Sequence, residues 1–345
     1  MQLNFTDILE SISNHSELAD EEAEKAMRMI LSGEVSSDEI SAFLMGMRMK
    51  GTTISEVTSF VKVMRDVSLK VDVDTEGAVD MCGTGGDKSG TFNISTASMF
   101  VTAGAGVPVL KHGNRSVSSK SGSYDVLEEL GAVPNLQKEE VQSLYNETGM
   151  AFMFAPNFHP ALRFVMPSRR ALKIRTFFNM LGPLLNPASV KYQLIGAFNG
   201  DAAGKMAQIL KNLNSDKAFT VFSHDGLDEV STTAKSDLFE VNGSNEIKTT
   251  VFDPVSVGIE STTLDELMGG DAKMNADIIR AIIENRSTEA QRNIVILNSA
   301  FSIYVTGAYD TLVKSILAAE KSINSGEALK KMNLFISESQ KLADF

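Results

Sequence analysis

The sequence predicts an α/β protein, with a small helical domain over residues 1–72 and a larger α/β domain over 73–345. Two observations carry that reading. Up to about residue 70 the chain reads as helical, and Ser36-x-x-Glu39 and Thr53-x-x-Glu56 form capping boxes that each open an apolar-periodic run. From about residue 75 short β-like runs end in glycine-rich turns and lead into helices, the alternation that builds an α/β sheet. The length of 345 residues also exceeds one ordinary domain, and 43% hydrophobic content is ample for a packed core.

Taken in order, the opening MQLNFTDILESIS reads as an amphipathic helix. Met27, Ile30, Leu44, Met47 and Met49 supply soft apolar surface between the first helices, for core packing first and a dimer contact second. Strands are expected at Ala78–Cys82, Val107–Leu110, Lys191–Phe198, Phe219–Phe222 and Leu238–Val241. Helices are expected at Ser95–Ala103, Tyr124–Leu130, Ala202–Leu213, Leu264–Met268 and over most of 287–345. A helical segment from about 165 to 190 is assigned to the first domain. The polar segments stand where strands end, which is where open α/β sheets hold ligands.

Composition narrows the partners. No run of about 18 apolar residues and no basic, apolar leader occurs, so a membrane partner is not expected. A single cysteine excludes an internal disulfide framework and fits a reducing cytoplasm. The net charge of −12 argues against nucleic acid. The charge is uneven, however. Lys88–Tyr124 carries four Lys/Arg and no acid, and Ala151–Gly200 carries six and no acid. Two cationic islands on an acidic chain suit a small, highly anionic ligand.

Four motifs carry chemistry. In Gly83-Thr84-Gly85-Gly86-Asp87, glycines after a strand let the backbone approach a ligand, and the helix opening near Ser95 offers N–H groups to a phosphate. The spacing is neither a Rossmann nor a Walker pattern. Lys111-His112-Gly113-Asn114-Arg115-Ser116-Val117-Ser118-Ser119 reads as a donor-rich loop suited to pyrophosphate. Asp228-Glu229, after a strand, suits magnesium shared with substrate phosphates, although alone such a pair is more often a solvated turn. Finally, Arg169-Arg170 and Arg175-Thr176-Phe177-Phe178-Asn179 run into Leu181-Gly182-Pro183-Leu184-Leu185-Asn186-Pro187. The fork of Arg169 fits a carboxylate, and His159 could line an aromatic pocket or simply be a satisfied structural histidine. No nucleophile–base pair is evident around Cys82 or the serines.

Together these motifs, with Val295–Ala300 and Ser325-Gly326 near the C-terminus, resemble the anthranilate phosphoribosyltransferase family over nearly the whole chain. The resemblance implies a small helical domain plus a large α/β domain with a central mixed, mainly parallel sheet flanked by helices, of the nucleoside phosphorylase/phosphoribosyltransferase kind. It implies transfer of phosphoribose from phosphoribosyl pyrophosphate to anthranilate, the second step of tryptophan synthesis, and a homodimer through the helical domain. By that likeness Gly83, Gly86, Asp87, Thr91, Asn93, Ile94, Ser95, Thr96, Lys111–Ser119 and Ser123 hold phosphoribosyl pyrophosphate. Ser95, Asp228 and Glu229 bind magnesium, with two ions per site. Gly83, His112, Asn114, His159 and Arg169 meet anthranilate, and Lys111, Asn114 and Arg169 carry the catalysis. Lys88 and Lys173 stand where the family usually has glycine. Two rivals are a pyrimidine nucleoside phosphorylase-like enzyme and a non-catalytic relative that binds nucleic acid. The Asp228-Glu229 pair and the Arg-Thr-Phe-Phe-Asn run speak against the first, and the acidic charge against the second.

Overall fold

A computed structural model describes residues 4–85, 89–115 and 120–343. The chain opens with four helices: α1 (Phe5–Ser13), α2 (Asp20–Ser32), α3 (Ser37–Lys50) and α4 (Ile54–Asp66). The two expected capping boxes are formed. Ser36 Oγ accepts the Glu39 N–H at 3.3 Å while Glu39 accepts the Ser36 N–H at 2.8 Å, and Thr53 and Glu56 do the same. A third box, Asn4 with Asp7, starts α1.

Glu56 does more than cap. Fully buried, it also accepts the Leu18 N–H at 2.9 Å and pairs with Lys50 at 2.8 Å, tying the α1–α2 connection to α4. Removing one partner of such a pair strands the other charge in the core. Met27, Ile30, Leu44 and Met47 are buried here, whereas Met49 turns outward.

The α/β part contains seven strands: β1 (Val79–Gly83), β2 (Val109–Gly113), β3 (Met150–Phe154), β4 (Tyr192–Gly196), β5 (Lys217–Ser223), β6 (Ser236–Asn242) and β7 (Lys248–Phe252). They line up as β3-β2-β1-β4-β5-β6-β7, the first five parallel and the last two antiparallel. From β1 the chain winds outward through β2 and β3, then returns past β1 to β4. The crevice between the C-terminal ends of β1 and β4 is therefore the topological switch point, where such sheets bind ligands.

Helices follow as α5 (Ile94–Gly104), α6 (Ser123–Glu129), α7 (Lys138–Thr148), α8 (Ala155–Phe158), α9 (Met166–Leu172), α10 (Phe178–Leu181), α11 (Gly200–Asn212), α12 (Ala272–Ile283), α13 (Glu289–Val305), α14 (Leu312–Asn324) and α15 (Glu327–Ala343). One face of the sheet carries α5, packed against α13 and α15. The other carries α11, which packs on β5, β6 and α4, so the helical core continues onto the sheet. Phe177 enters that core with its ring centroid 4.9 Å from Phe60, and Ser168 of α9 donates to the Ser37 carbonyl at 2.7 Å. Among the described residues no helix is long and apolar enough to cross a membrane.

Several elements differ from expectation. β3, β7, α7 and α12 were not anticipated. β3 (Met-Ala-Phe-Met-Phe) is apolar on both faces, and such a run has no alternation to distinguish it from a helix. β7 is a largely exposed edge strand with little apolar content. Leu264–Leu267 forms a 3-10 turn, not an α-helix. β2 runs to Gly113, so Lys111 and His112 are strand residues and buried, not part of a solvated loop.

Lys173 ends α9 in the left-handed region, at φ 52°. A glycine adopts that conformation without the Cβ clash, although it has more freedom to lose on folding. Lys173→Gly is expected to raise stability by about 0.5–1 kcal/mol, read as a higher urea midpoint with an unchanged slope.

Candidate active site

The glycine loop leaves β1 at Gly83, and the loop after β5 presses against it. A Cβ at Gly83 would overlap the Asp228 carboxylate, and one at Gly196 would overlap the Asp228 carbonyl. Asp228 Oδ2 accepts the Gly85 N–H at 2.7 Å. Side chains fix the acidic loop from behind. Ser223 Oγ donates to the Glu229 carbonyl at 2.6 Å, and the Ser231 and Thr233 hydroxyls donate to Asp225. Asn298 of α13 holds Val230 on both sides, accepting its N–H and donating to its carbonyl, each at 2.9 Å. Asp228 and Glu229 thus stand at the switch point on a braced turn.

Beneath the loop lies Lys111. Only 1% exposed, it donates to the Met81 carbonyl and, at 3.2 Å, to Ser95 Oγ in the first turn of α5. Its charge underlies the junction of β1 and α5. Ile94 and Thr96 are buried, and the Ile94 N–H already donates to the Phe92 carbonyl at 2.8 Å, so of the two Thr96 is the one with a main-chain N–H to offer at the helix start. The Thr84, Thr96 and Thr176 Oγ1 atoms are buried with no hydrogen-bond partner among the described residues. Unpaired buried hydroxyls are rare, and two of these lie in the motifs flanking the crevice.

The predicted histidines are differently engaged. His112 Nδ1 donates to Asp80 Oδ2 at 2.7 Å, and its Nε2 faces the Gly182 carbonyl at 2.7 Å. His159 Nε2 donates to the Leu185 carbonyl at 2.8 Å. Gln193 donates to Asp80 and to the Pro183 carbonyl, and Arg65 Nε donates to the Leu184 carbonyl at 2.7 Å. Four consecutive carbonyls, Gly182 to Leu185, are each met by a donor from a different element. Burial raises the Asp80 carboxyl, but His112, its hydrogen bond and Lys111 outweigh that and hold it below its usual range. Burial lowers Arg65 to about 10, countered in part by Asp80. Asp80, Cys82 and His112 lie close together, yet both His112 nitrogens are already taken. Burial and Asp80 push the Cys82 thiol well up, which keeps it a poor nucleophile.

Arg169 lies in the last turn of α9 with its guanidinium 5.3 Å from the Phe178 ring centroid. Burial lowers its pKa, and no carboxylate pairs with it among the described residues. Asn114 accepts the Arg115 N–H at 2.8 Å. Arg115 stacks 3.8 Å over Tyr124 and pairs with Asp125 at 2.9 Å, so its charge is directed at α6. Thr91 meets Ser89 at 3.2 Å, and Ser123 opens α6. Gly86, Asp87, Lys88 and Ser116–Ser119 lie outside the described residues.

Sequence reasoning missed Asp80, Gln193 and Ser223 as parts of this arrangement. A carboxylate inside the apolar strand Val79-Asp80-Met81 was a readable signal, since a buried charge needs partners.

Comparison with known proteins agrees with this geometry. Residues 6–68 match the helical bundle domain of the glycosyl transferase family, and 75–329 match its a/b domain. Anthranilate phosphoribosyltransferase of Salinibacter ruber is 44% identical over 336 residues, covering 96% of this chain and 98% of that protein. The enzyme of that name from Thermus thermophilus superposes with a TM-score of 0.91 at 31% identity, over 97% of this chain and 99% of that one. Its counterpart from Saccharomyces cerevisiae, solved in complex with PRPP and Mg, superposes with a TM-score of 0.90 at 25% identity, over 99% of both chains.

His159 has a pH consequence. Burial lowers its pKa to about 4, against roughly 6.5 in an unfolded chain. Between those values the unfolded state binds a proton that the folded state refuses, so stability falls as pH drops from about 6.5 to 4. The slope is at most about 1.4 kcal/mol per pH unit. His159→Gln is expected to flatten that limb in denaturant titrations across this range. Asp80 acts lower, because its depressed carboxyl contributes stability that is present in full above about pH 4 and lost as pH falls through its folded value.

Proposed function

The chain belongs to the anthranilate phosphoribosyltransferase family, and from that premise we propose that it transfers the 5-phosphoribosyl group of phosphoribosyl pyrophosphate to the amine of anthranilate. The products are N-(5-phosphoribosyl)anthranilate and pyrophosphate, a step of tryptophan biosynthesis. The observation that carries the reading is the contact of Asp228 with the Gly85 N–H across the switch point, which joins a carboxylate pair to a glycine loop at a helix start.

In this reading the donor's phosphates lie on the glycine loop and the first turn of α5, where backbone N–H groups point outward and Lys111 adds positive charge from below. Ser95, Asp228 and Glu229 hold magnesium, two ions per site. They are hard oxygen donors, and two of them sit on the braced turn that closes over Gly83. When bound, the metal neutralises charge on the departing pyrophosphate. Arg169, half-buried and paired with no carboxylate among the described residues, receives the carboxylate of anthranilate. Asn114 orients the amine. His112 offers ring surface with both nitrogens engaged, to Asp80 and the Gly182 carbonyl, and His159 offers ring surface with Nε2 held by the Leu185 carbonyl.

The arylamine is neutral near pH 7, so attack needs positioning more than a base. With Cys82 held protonated, direct displacement through an oxocarbenium-like state needs no covalent enzyme intermediate. The proposal extends to a homodimer through the helical domain, supported by Met45 and Met49, 40% and 69% exposed on α3. It also extends to a cytoplasmic location, supported by the single free cysteine.

Purified protein given phosphoribosyl pyrophosphate, magnesium and anthranilate should consume anthranilate fluorescence only when the metal is present. Loss of that signal's metal dependence, or no decay at all while the donor still binds by calorimetry, would overturn the assignment. Arg169→Ala should raise the KM for anthranilate about 10–100-fold, the loss of one charged hydrogen-bonding group, with little change toward the donor. Asp228→Ala with Glu229→Ala should instead raise the magnesium and donor concentrations required. Variants that affect both substrates alike would break this division of the site.

A further inference from the structure

We infer that Asn275, in the first turn of α12, is a positioning residue that holds the two donor-binding loops in register with each other. The inference rests on the reading above, in which the loop after β1 and the loop after β2 grip one ligand between them.

The side chain is 2% exposed and its amide is fully engaged. Nδ2 donates to Asn93 Oδ1 and to Ser121 Oγ, each at 2.8 Å, while Oδ1 accepts the Gly270 N–H at 2.7 Å. Asn93 is the last residue of the glycine loop before α5, and Ser121 closes the β2 loop just before α6. The two also meet directly, Ser121 Oγ with Asn93 Oδ1 at 3.3 Å. One buried amide therefore touches the closing residue of each loop.

Asn275 is itself fixed from outside the loops. The segment leading into α12 lies along the far end of the glycine loop, with the Gly269 N–H donating to Gly90 at 2.9 Å and the Phe92 N–H donating to Leu267 at 3.2 Å. Gly269 admits no side chain there, since a Cβ would stand 2.6 Å from the Phe92 backbone. Asparagine suits the position because it offers one acceptor toward Gly270 and two donors toward the loops. Leucine offers neither, and aspartate offers only the acceptors. Joining the loops before the ligand arrives removes part of the ordering cost of binding. It also sets the distance between the phosphate site and the residues of the β2 loop.

The test compares wild type with Asn275→Leu and Asn275→Asp. Affinity for phosphoribosyl pyrophosphate with magnesium is read by calorimetry, KM values are read for both substrates, and hydrogen exchange is followed without ligand at 89–93 and at 113–115 and 120–122. Asn275→Leu should weaken donor affinity about tenfold or more. Its KM for anthranilate at saturating donor should stay near wild type, and exchange should accelerate in both loops together. Asn275→Asp, which can still accept from Ser121, should fall between the two. A folded variant with wild-type donor affinity overturns the inference, as does faster exchange confined to one loop. If Asn275→Leu does not fold, Asn275→Asp carries the same comparison. If wild type itself binds no phosphoribosyl pyrophosphate, the functional reading fails, whereas the ligand-free exchange still decides whether Asn275 couples the loops.

Discussion

The structure depends on how it ties down four consecutive carbonyls. Gly182 to Leu185 run between the helical core and the sheet, with Pro183, Leu184 and Leu185 buried, and an unpaired buried carbonyl costs about as much as a lost hydrogen bond. His112 from β2, Gln193 from β4, Arg65 from α4 and His159 from the turn after α8 each supply one donor. Three of these donors belong to the sheet side and Arg65 to the helical side, so the segment is a polar seam joining two apolar cores. Asp80 anchors the seam by gathering His112 and Gln193 on one carboxylate.

The same seam explains why chemistry-bearing residues end up in structural work. His112 and His159 have residue types suited to a pocket, but His112 is held by Asp80 and the Gly182 carbonyl, and His159 Nε2 by the Leu185 carbonyl. Lys111 is likewise drawn under β1 and not outward, because β2 extends to Gly113. In the proposed site the ligand contacts therefore fall to backbone, hydroxyls, Asp228 and Arg169, with Lys111 acting through its charge from beneath.

Much of this was legible in the sequence. The capping boxes at Ser36 and Thr53 fixed two helix starts, and the glycine cluster after Val79–Cys82 located the switch-point loop, because both signals are local. What stayed hidden depends on distant partners. Nothing near Asn275 announces that it will meet Asn93 and Ser121, and nothing near Asn298 announces that it will clasp Val230. β3 was missed because burial on both faces erases the alternation that marks a strand. The long motif from Leu181 to Pro187 was visible as a pattern, but its purpose, presenting carbonyls to four donors, appears only when the sheet is assembled.

The close approach of Asp228 to β1 and β4 has one more consequence. Gly83 faces its carboxylate and Gly196 its carbonyl, with no space for even a methyl group at either contact. A glutamate at 228 would carry the same charge and one extra methylene, and its carboxylate could not extend further along the line that Gly83 already closes. At this position the length of an acid counts beside its charge, because the carboxylate already lies against a strand residue that carries no side chain.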